Sequence, residues 1–431
     1  GKNMGYIPHK FGIHFTSFLQ FHRCIVLLSG FYHCSPDIRK KQRYKAVDKR
    51  GGIIGILACL VPTIILPYYC SIGGWVLKYL SLYITGTGST AAVDGYFGNY
   101  IGENIEPIIW MLIYFAITAV IVFCGVEKGI EKFSKILMPI LIVMVIGISI
   151  YSLTLSHTDE NGVTRTGLQG LKVYFVPDFT DMTLKKFFVV IMDAMGQLFF
   201  SISVAMGIMV AYGSYAKKET NLMQSVNRIE LFDTLVAFMA GMMIVPAVFT
   251  FSGREGMAAG PGLVFVSLPK VFTAMGGAGK IIGLLFFLVL SFAAVTSSVS
   301  VMEAIVSSLM DKFGLSRKKS SLLVAAYTVL AAIIVCMGYN ILFFEITLPN
   351  GTVGQILDIF DYISNYIMMP LVAFLTSVLI GWVVKPNYVI DEVTQGKFKF
   401  SRKTLYIIMI KFIVPILLLI LLLQSIGIIK L

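Results

Sequence analysis

Charged side chains are scarce in this sequence. They make up 13% of its 431 residues, whereas soluble globular proteins carry about 25%. Hydrophobic residues reach 57%, and the mean hydropathy is +0.83. This balance excludes a water-soluble enzyme and an intrinsically disordered chain. The ten-residue segments of alternating polarity that outer-membrane barrels need are missing as well.

Histidine and cysteine are also scarce, which limits the chemistry that the chain could perform. There are five histidines, four of them within the first 33 residues, and six cysteines scattered without a Cys-x-x-Cys pair. No Ser/His/Asp arrangement, metal-ligand spacing or phosphate-binding glycine loop is evident. We therefore predict a protein that is not an enzyme and is not driven by ATP. If the protein moves a solute across a membrane, the energy would come from an ion gradient or from the solute's own downhill flow.

Long apolar runs are what the chain has in abundance. Nine of them approach or exceed the roughly 20 residues that a helix needs to cross a bilayer, and a weaker candidate covers 13–33. The nine runs are 53–82, 107–125, 134–156, 187–215, 228–251, 279–310, 321–338, 355–384 and 404–428. They predict an all-α polytopic membrane protein with about nine clear helices.

Lysine and arginine are distributed unevenly over the loops between these runs. One alternating set of loops carries 22 of them and the other set carries 4. Because cytoplasmic loops are enriched in positive charge, the first set is predicted to be cytoplasmic and the C-terminus extracytoplasmic. The net charge of +12 is explained by this topology, so we expect no nucleic-acid partner. The cell membrane is the expected location.

Run 187–215 carries small and hydroxyl residues at its midpoint, among them Ser201, Ser203 and Gly207. Such residues often mark close packing between helices. They are equally compatible with a broken helix, whose released backbone groups bind ligands where they line a cavity. The segment alone leaves both interpretations open.

Hydroxyl groups cluster in run 279–310 as well, at Thr296, Ser297, Ser298 and Ser300, with Glu303 close behind. They place several oxygens at one depth, and hard cations such as Na⁺ prefer oxygen ligands. The alternative is that these hydroxyls only bond to the preceding helical turn.

Carboxylates also occur inside apolar runs, where they are costly and usually functional or paired. Asp233 lies about five residues inside run 228–251, although it could be a solvated residue at the cytoplasmic edge beside Arg228. Asp358 and Asp361 lie near the outer start of another run. They could form an outer gate or simply face water.

Proline and glycine suggest two further irregularities. Pro62 and Pro67 lie within run 53–82, where each is expected to distort the helix and release backbone groups. The outer loop 253–276 contains Gly-Pro-Gly followed by an amphipathic stretch too short to span the bilayer. It is predicted to be a re-entrant hairpin or an ordinary surface loop.

Several of these segments together resemble the bacterial branch of the neurotransmitter:sodium symporter family. The resemblance covers roughly 44–428, and the motifs occur in the family's order. They are PYYCSIGGW (67–75), GQLFFSISVAMG (196–207), the stretch 233–246, GPGLVFVSLP (260–269), FAAVTSS (292–298) and LDIFD (357–361).

The resemblance implies a leucine-transporter-type fold, in which two inverted repeats enclose the substrate, and symport of Na⁺ with an amino acid by alternating access. A hydrophobic amino acid is favoured because no charged residue matches the side-chain pocket. The implied substrate residues are Ile65, Tyr69, Phe200, Ser203, Val204, Ala205, Met206, Gly207, Ser298 and Val301. The implied sodium ligands are Ser201 and Asp233 at one site and Ala293, Thr296 and Ser297 at the other. Asp361 and Phe200 correspond to the outer gate.

The chain departs from the family at its N-terminus. The family's first helix, with a glycine-rich segment bearing Asn and Arg, has no counterpart, and 1–43 reads as an aberrant segment ahead of a transporter domain at 44–428. A truncated or frame-shifted start would leave both sodium sites incomplete and impair transport. A divergent but genuine family member is the rival explanation.

Three functions are thus compatible with the residues. The first is a sodium-coupled symporter, the second a non-transporting remnant or membrane sensor, and the third a proton-coupled permease with Asp233 or Glu303 as the proton carrier. Because Asp233 would supply a fixed negative charge beside the first sodium, no chloride requirement is expected. Membrane lipid and a small amino acid are the expected partners, and the oligomeric state is left open.

Overall fold

The architecture comes from a computed structural model of the chain. Segment 1–43, including the weak run 13–33, lies outside the residues that it describes. The described residues are 51–125, 130–159, 162–176, 182–215, 221–254, 260–394, 400 and 402–429.

Helices dominate these residues. In chain order they are α1 (Gly51–Ile84), α2 (Tyr96–Gly102), α3 (Glu106–Phe123), α4 (Lys132–Leu153), α5 (Gly167–Phe175), α6 (Leu184–Ser201), α7 (Ile208–Gly213), α8 (Leu222–Ser252), α9 (Leu268–Ala274), α10 (Gly277–Phe313), α11 (Arg317–Met337), α12 (Ile356–Val384), α13 (Pro386–Thr394) and α14 (Lys403–Ser425). Two short antiparallel hairpins pair β1 (Ser156–Thr158) with β2 (Thr164–Thr166) and β3 (Ile346–Thr347) with β4 (Val353–Gly354).

Eight of these helices are long and apolar enough to cross a membrane: α1, α3, α4, α8, α10, α11, α12 and α14. Each corresponds to one of the nine apolar runs. The remaining run, 187–215, is divided between α6 and α7. The chain is therefore a multi-pass membrane protein, as its composition predicts.

Helix α1 stays continuous over 34 residues although both prolines lie inside it. A proline has no N–H to donate to the carbonyl four residues earlier, so Pro67 leaves the carbonyl of Thr63 available. The Tyr327 hydroxyl of α11 donates to that carbonyl over 3.1 Å. The prolines thus release backbone groups, as expected, without breaking the helix.

Glycines let α1 and α3 approach each other closely. A Cβ placed on Gly74 would lie 2.6 Å from the backbone nitrogen of Met111, and one on Gly73 would lie 2.3 Å from the Tyr114 ring. Small residues at such crossings allow the backbones of membrane helices to make van der Waals contact. This contact fixes the position of α1, which carries Tyr69.

The close approach predicts the cost of adding one methyl group. Gly74→Ala is expected to destabilise the protein by about 1–3 kcal/mol, because the clash is with backbone that cannot rotate away. Gly147→Ala in α4 is the matched control, since Gly147 is exposed and an added Cβ meets nothing within 4 Å. Thermal unfolding in detergent measures both. Equal midpoints for the two variants would contradict the predicted clash.

The loop 253–276 covers one end of the helix bundle. Its described part, 253–254 and 260–276, contains a π-helical turn at Leu263–Ser267 followed by α9. Buried Phe265 stacks on Phe97, and its carbonyl accepts a hydrogen bond of 2.9 Å from the Tyr79 hydroxyl. An aromatic cluster therefore holds this segment against α1.

A surface ion pair adds to the same contact. Lys270 donates to Asp94 in the loop that follows α1, and this ammonium holds the pKa of the Asp94 carboxyl below its usual range. A carboxyl group whose pKa is lower in the folded protein than in the unfolded chain stabilises the fold at pH values above its ordinary pKa. That stabilisation is lost as the pH falls through the lowered pKa. Because the carboxylate is exposed, that contribution is small and is screened by salt.

Candidate functional site

The break between α6 and α7 is the centre of the candidate site. Ser203, Ala205 and Gly207 all have positive φ angles, of 56°, 63° and 70°. Three left-handed residues at alternating positions cannot continue a right-handed helix, so the regular helical hydrogen bonding is interrupted between Ser201 and Ile208. The broken-helix interpretation of this run is confirmed.

The break lies against α1 at the position of its first proline. Pro62 leaves the carbonyl of Ala58 without a helical donor, and a Cβ on Gly207 would lie 3.2 Å from that oxygen. Any side chain at 207 would push the two segments apart. Irregular backbone from two helices is therefore juxtaposed inside the bundle.

Two residues predicted as ligands of one sodium site meet directly. The Ser201 hydroxyl, at the end of α6, donates to Oδ1 of Asp233 in α8 over 2.7 Å. Asp233 is the twelfth residue of α8, which places it about 17 Å from the start of that helix. The Ser201 side chain is exposed and Asp233 is half-buried, so the pairing alone does not decide between a sodium ligand and a solvated residue at the membrane edge.

The residues predicted for the second sodium site share one turn of α10. The Thr296 hydroxyl donates to the Ala293 carbonyl over 2.9 Å, and the Ser297 side chain is exposed. The Tyr69 phenol of α1 lies near Ser297. The structure thus brings a predicted substrate residue next to a predicted sodium ligand.

Other predicted substrate residues lie in the protein core. Ile65, Val301 and Ser298 are buried. The Ser298 hydroxyl is used within the protein, 3.1 Å from the Tyr114 hydroxyl and 2.8 Å from the Thr118 hydroxyl, both on α3. Helical periodicity places Ser298 at the right depth but cannot show which neighbouring helix it faces.

Residues of the break alternate in their exposure. Val204 and Met206 are buried, whereas Ser203, Ala205 and Gly207 are partly exposed. Phe200, predicted as part of the outer gate, is also partly buried and packs against the hydrophobic core. The segment therefore combines an apolar lining with accessible backbone.

The two carboxylates at the start of α12 have different surroundings. Asp358 caps the helix by accepting a 2.8 Å hydrogen bond from the backbone N–H of Gln355. Asp361, predicted as half of the outer gate, accepts from Asn365 Nδ2 over 2.5 Å, and the same nitrogen lies 3.2 Å from the Tyr68 hydroxyl. Sequence reasoning missed Asn365, although its position one turn after Asp361 was a signal.

Sequence reasoning also missed the partners of Glu303. This carboxylate is fully buried, and it accepts hydrogen bonds from Arg317 and, over 2.7 Å, from the Tyr215 hydroxyl. Arg317 additionally donates to the carbonyl of Val122 in α3. The ion pair joins α3, α10 and α11 to the residues after α7, and it gives Glu303 fixed partners instead of a free path for a proton.

A cavity of about 240 Å³ lies between α1, α7 and α10. It extends from Gly207 at the break to Phe313 at the end of α10, and both Cys59 and Ser308 line it. The Cys59 thiol donates to the Ser308 hydroxyl over 3.1 Å. The cavity therefore connects the broken helix to the end of the bundle that is predicted to be cytoplasmic.

Comparisons with known proteins agree with this arrangement. The model of the sodium:neurotransmitter symporter family matches residues 99–430. An uncharacterised sodium-dependent transporter of Haemophilus influenzae is 31% identical over 88% of this chain and 80% of its own length. The uncharacterised sodium-dependent transporter YhdH of Bacillus subtilis is 32% identical over 91% and 83%. A crystal structure of MhsT in complex with L-phenylalanine superimposes with a TM-score of 0.80 at 31% identity, covering 97% of this chain and 92% of that one.

Proposed function

The chain belongs to the sodium:neurotransmitter symporter family, and we propose that it imports a small hydrophobic amino acid together with Na⁺ by alternating access. It has the leucine-transporter-type fold, and it is not an enzyme. The observation that carries the proposal is the Ser201–Asp233 pair at the end of a broken membrane helix. The pair places a carboxylate oxygen and a hydroxyl next to the point where the helix is interrupted.

Sodium is the ion that this chemistry fits. A carboxylate inside the membrane is costly unless a cation or donor compensates it, and a hard cation favours oxygen ligands. Ser201 and Asp233 would hold one Na⁺, and the Ala293 carbonyl with the hydroxyls of Thr296 and Ser297 would hold a second. Glu303 is a poor rival as a proton carrier because Arg317 neutralises it.

The amino acid would bind at the break itself. Backbone groups of 203–207 and the Tyr69 phenol are suited to the charged end of an amino acid, because discontinuous membrane helices bind ligands through released backbone groups. Ile65, Val204 and Val301 would supply an apolar wall for the side chain. The L-phenylalanine held by the MhsT structure supports this substrate class.

Alternating access requires a path from the site to each side of the membrane. The cavity between α1, α7 and α10 would form the cytoplasmic half of that path. The Asp361–Asn365 pair and Phe200 would close the other half. The uneven distribution of cations over the loops supports a C-terminus on the outer side of the cell membrane.

Transport into proteoliposomes tests this function. Radiolabelled L-phenylalanine is expected to accumulate when an inward Na⁺ gradient is imposed, and to accumulate no further under an inward proton gradient without Na⁺. Uptake driven by a proton gradient would favour the proton-coupled permease instead. Binding of phenylalanine without uptake would favour a sensor or a chain impaired in transport.

Chloride replacement provides a separate prediction. Because Asp233 carries a fixed negative charge at the site, uptake is expected to be unchanged when gluconate replaces chloride on both sides of the membrane. The measurement is the initial rate at constant Na⁺ concentration. A clear fall in that rate would show that an anion contributes the charge that we assign to Asp233.

A further inference from the structure

One loop that belongs to none of the membrane-spanning helices exposes several large apolar side chains. In the segment Ile341–Phe344, which follows α11, the four side chains are 65%, 41%, 55% and 45% exposed. Exposed apolar residues on the spanning helices face lipid and need no other explanation. Four consecutive exposed apolar residues in a loop need an explanation, because extended exposed apolar patches mark interaction surfaces.

The backbone of this segment is held in place by hydrogen bonds. The N–H of Leu342 donates to the Met337 carbonyl over 2.9 Å, and the N–H of Phe343 donates to the Asn340 carbonyl over 3.1 Å. The Asn340 side chain also donates to the Glu103 carbonyl, 2.9 Å away in the loop between α2 and α3. The apolar side chains are thus directed outward by a fixed turn instead of folding back onto the protein.

The length of α11 sets the depth of the segment in the bilayer. Its 21 residues extend about 31 Å, which equals the roughly 30 Å thickness of the hydrocarbon core. The helix begins with three cations, Arg317 to Lys319, which favour one membrane surface. Met337 therefore lies at the opposite surface, and Ile341–Phe344 follows within a few residues.

The exposed segment comes shortly after exposed apolar residues of α11. Leu330 and Ile334 on that helix are 66% and 47% exposed, and Ile341 follows four residues after the helix ends at Met337. Ile346 and Val353 of the β3–β4 hairpin are exposed beside the segment. The loop 338–354 contains no lysine or arginine, so attraction to anionic headgroups cannot position it and apolar insertion has to.

We propose that Ile341–Phe344 is a lipid-binding anchor that inserts into the boundary between headgroups and acyl chains. The leaflet is the one at the end of the bundle predicted to be outer. The anchor holds the turn between α11 and α12 against the membrane, and with it the start of α12, whose second turn carries Asp361. This inference does not depend on the proposed transport function.

Fluorescence quenching tests the anchor in reconstituted full-length protein. Phe343→Trp adds a reporter, and Val163→Trp is the matched control, since Val163 is exposed in the β1–β2 hairpin. Both are placed in phosphatidylcholine vesicles with and without bromine on the acyl chain near the headgroup. Emission of the unsubstituted chain, which has three tryptophans, is subtracted. We expect the added emission of Phe343→Trp to be shifted to the blue and quenched by the brominated lipid, and that of Val163→Trp to be unaffected.

Two results would overturn the proposal. Quenching of Phe343→Trp by aqueous iodide, as strong as that of Val163→Trp and with no effect of brominated lipid, would place the segment in water. Protection from both quenchers, together with dimers on chemical cross-linking, would mean that a second copy covers it. Phe344→Trp gives an independent measurement if the first variant does not fold.

Discussion

Asp233→Ala is expected to abolish sodium-driven uptake while leaving the protein folded. The change removes the carboxylate of the Ser201–Asp233 pair and leaves the surrounding helices in place. Loss of a group that merely supports a metal ligand lowers metal affinity by about 10–100-fold, so loss of the carboxylate itself should lower Na⁺ affinity by at least about 100-fold. The measurement is phenylalanine uptake as a function of Na⁺ concentration.

Companion variants separate charge from geometry. Asp233→Asn keeps an oxygen in place but removes the charge, so its Na⁺ affinity should lie between those of Asp233→Ala and the unsubstituted protein. Asp391→Asn removes an exposed carboxylate from α13 and should leave uptake unchanged. If Asp233→Ala transported with unaltered Na⁺ dependence, the proposed sodium site would be wrong even if the protein proved to be a transporter.

The second large effect is on stability. Glu303→Ala leaves Arg317 facing a buried cavity without its carboxylate, and breaking a buried pair from one side costs about 3–5 kcal/mol. The Arg317 side chain keeps 23% exposure, which favours the lower end of that range. Thermal unfolding in detergent should show a large drop in midpoint. A drop no larger than that of an exposed substitution would mean that the ion pair contributes little.

A double substitution separates the effect of losing the ion pair from the effect of losing the packing around it. Glu303→Met combined with Arg317→Met removes both charges and replaces them with apolar groups of similar length. Replacing a whole buried ion pair in this way is often neutral, so most of the lost stability should return. Tyr215→Phe should cost about 1.5–3 kcal/mol, because its hydroxyl donates to a charged group. Failure of the double variant to recover would assign the cost to packing around Glu303.

The number and boundaries of the membrane helices could be predicted because a bilayer imposes a length on apolar runs. Runs 107–125 and 355–384 match α3 and α12 to within two residues. The break in 187–215 could not be decided from its residues alone. Small residues permit both tight packing and unwinding, and only the φ angles of Ser203 and Ala205 distinguish the two.

The site was predictable where its chemistry is unusual and unpredictable where its chemistry is common. A carboxylate in the membrane is rare enough to make Asp233 a candidate, and the family resemblance added Ser201, which the structure places beside it. A serine in a helix is common, and Ser298 was assigned to the substrate while its hydroxyl bonds to α3. Glu303 and Arg317 lie on two helices joined by a loop. Whether they meet depends on the angle between those helices, and a local sequence pattern does not give that angle.

The left-handed residues at the break also determine which substitutions this segment tolerates. Ser203 and Ala205 adopt a conformation that glycine and asparagine accept easily and that β-branched side chains resist. In a saturation library, glycine should therefore be enriched at these two positions and valine or isoleucine depleted, the reverse of the pattern along the neighbouring turns of α6. The pattern of tolerated substitutions would therefore report the backbone conformation of this segment, and selecting the library for folded protein reveals it without a transport assay.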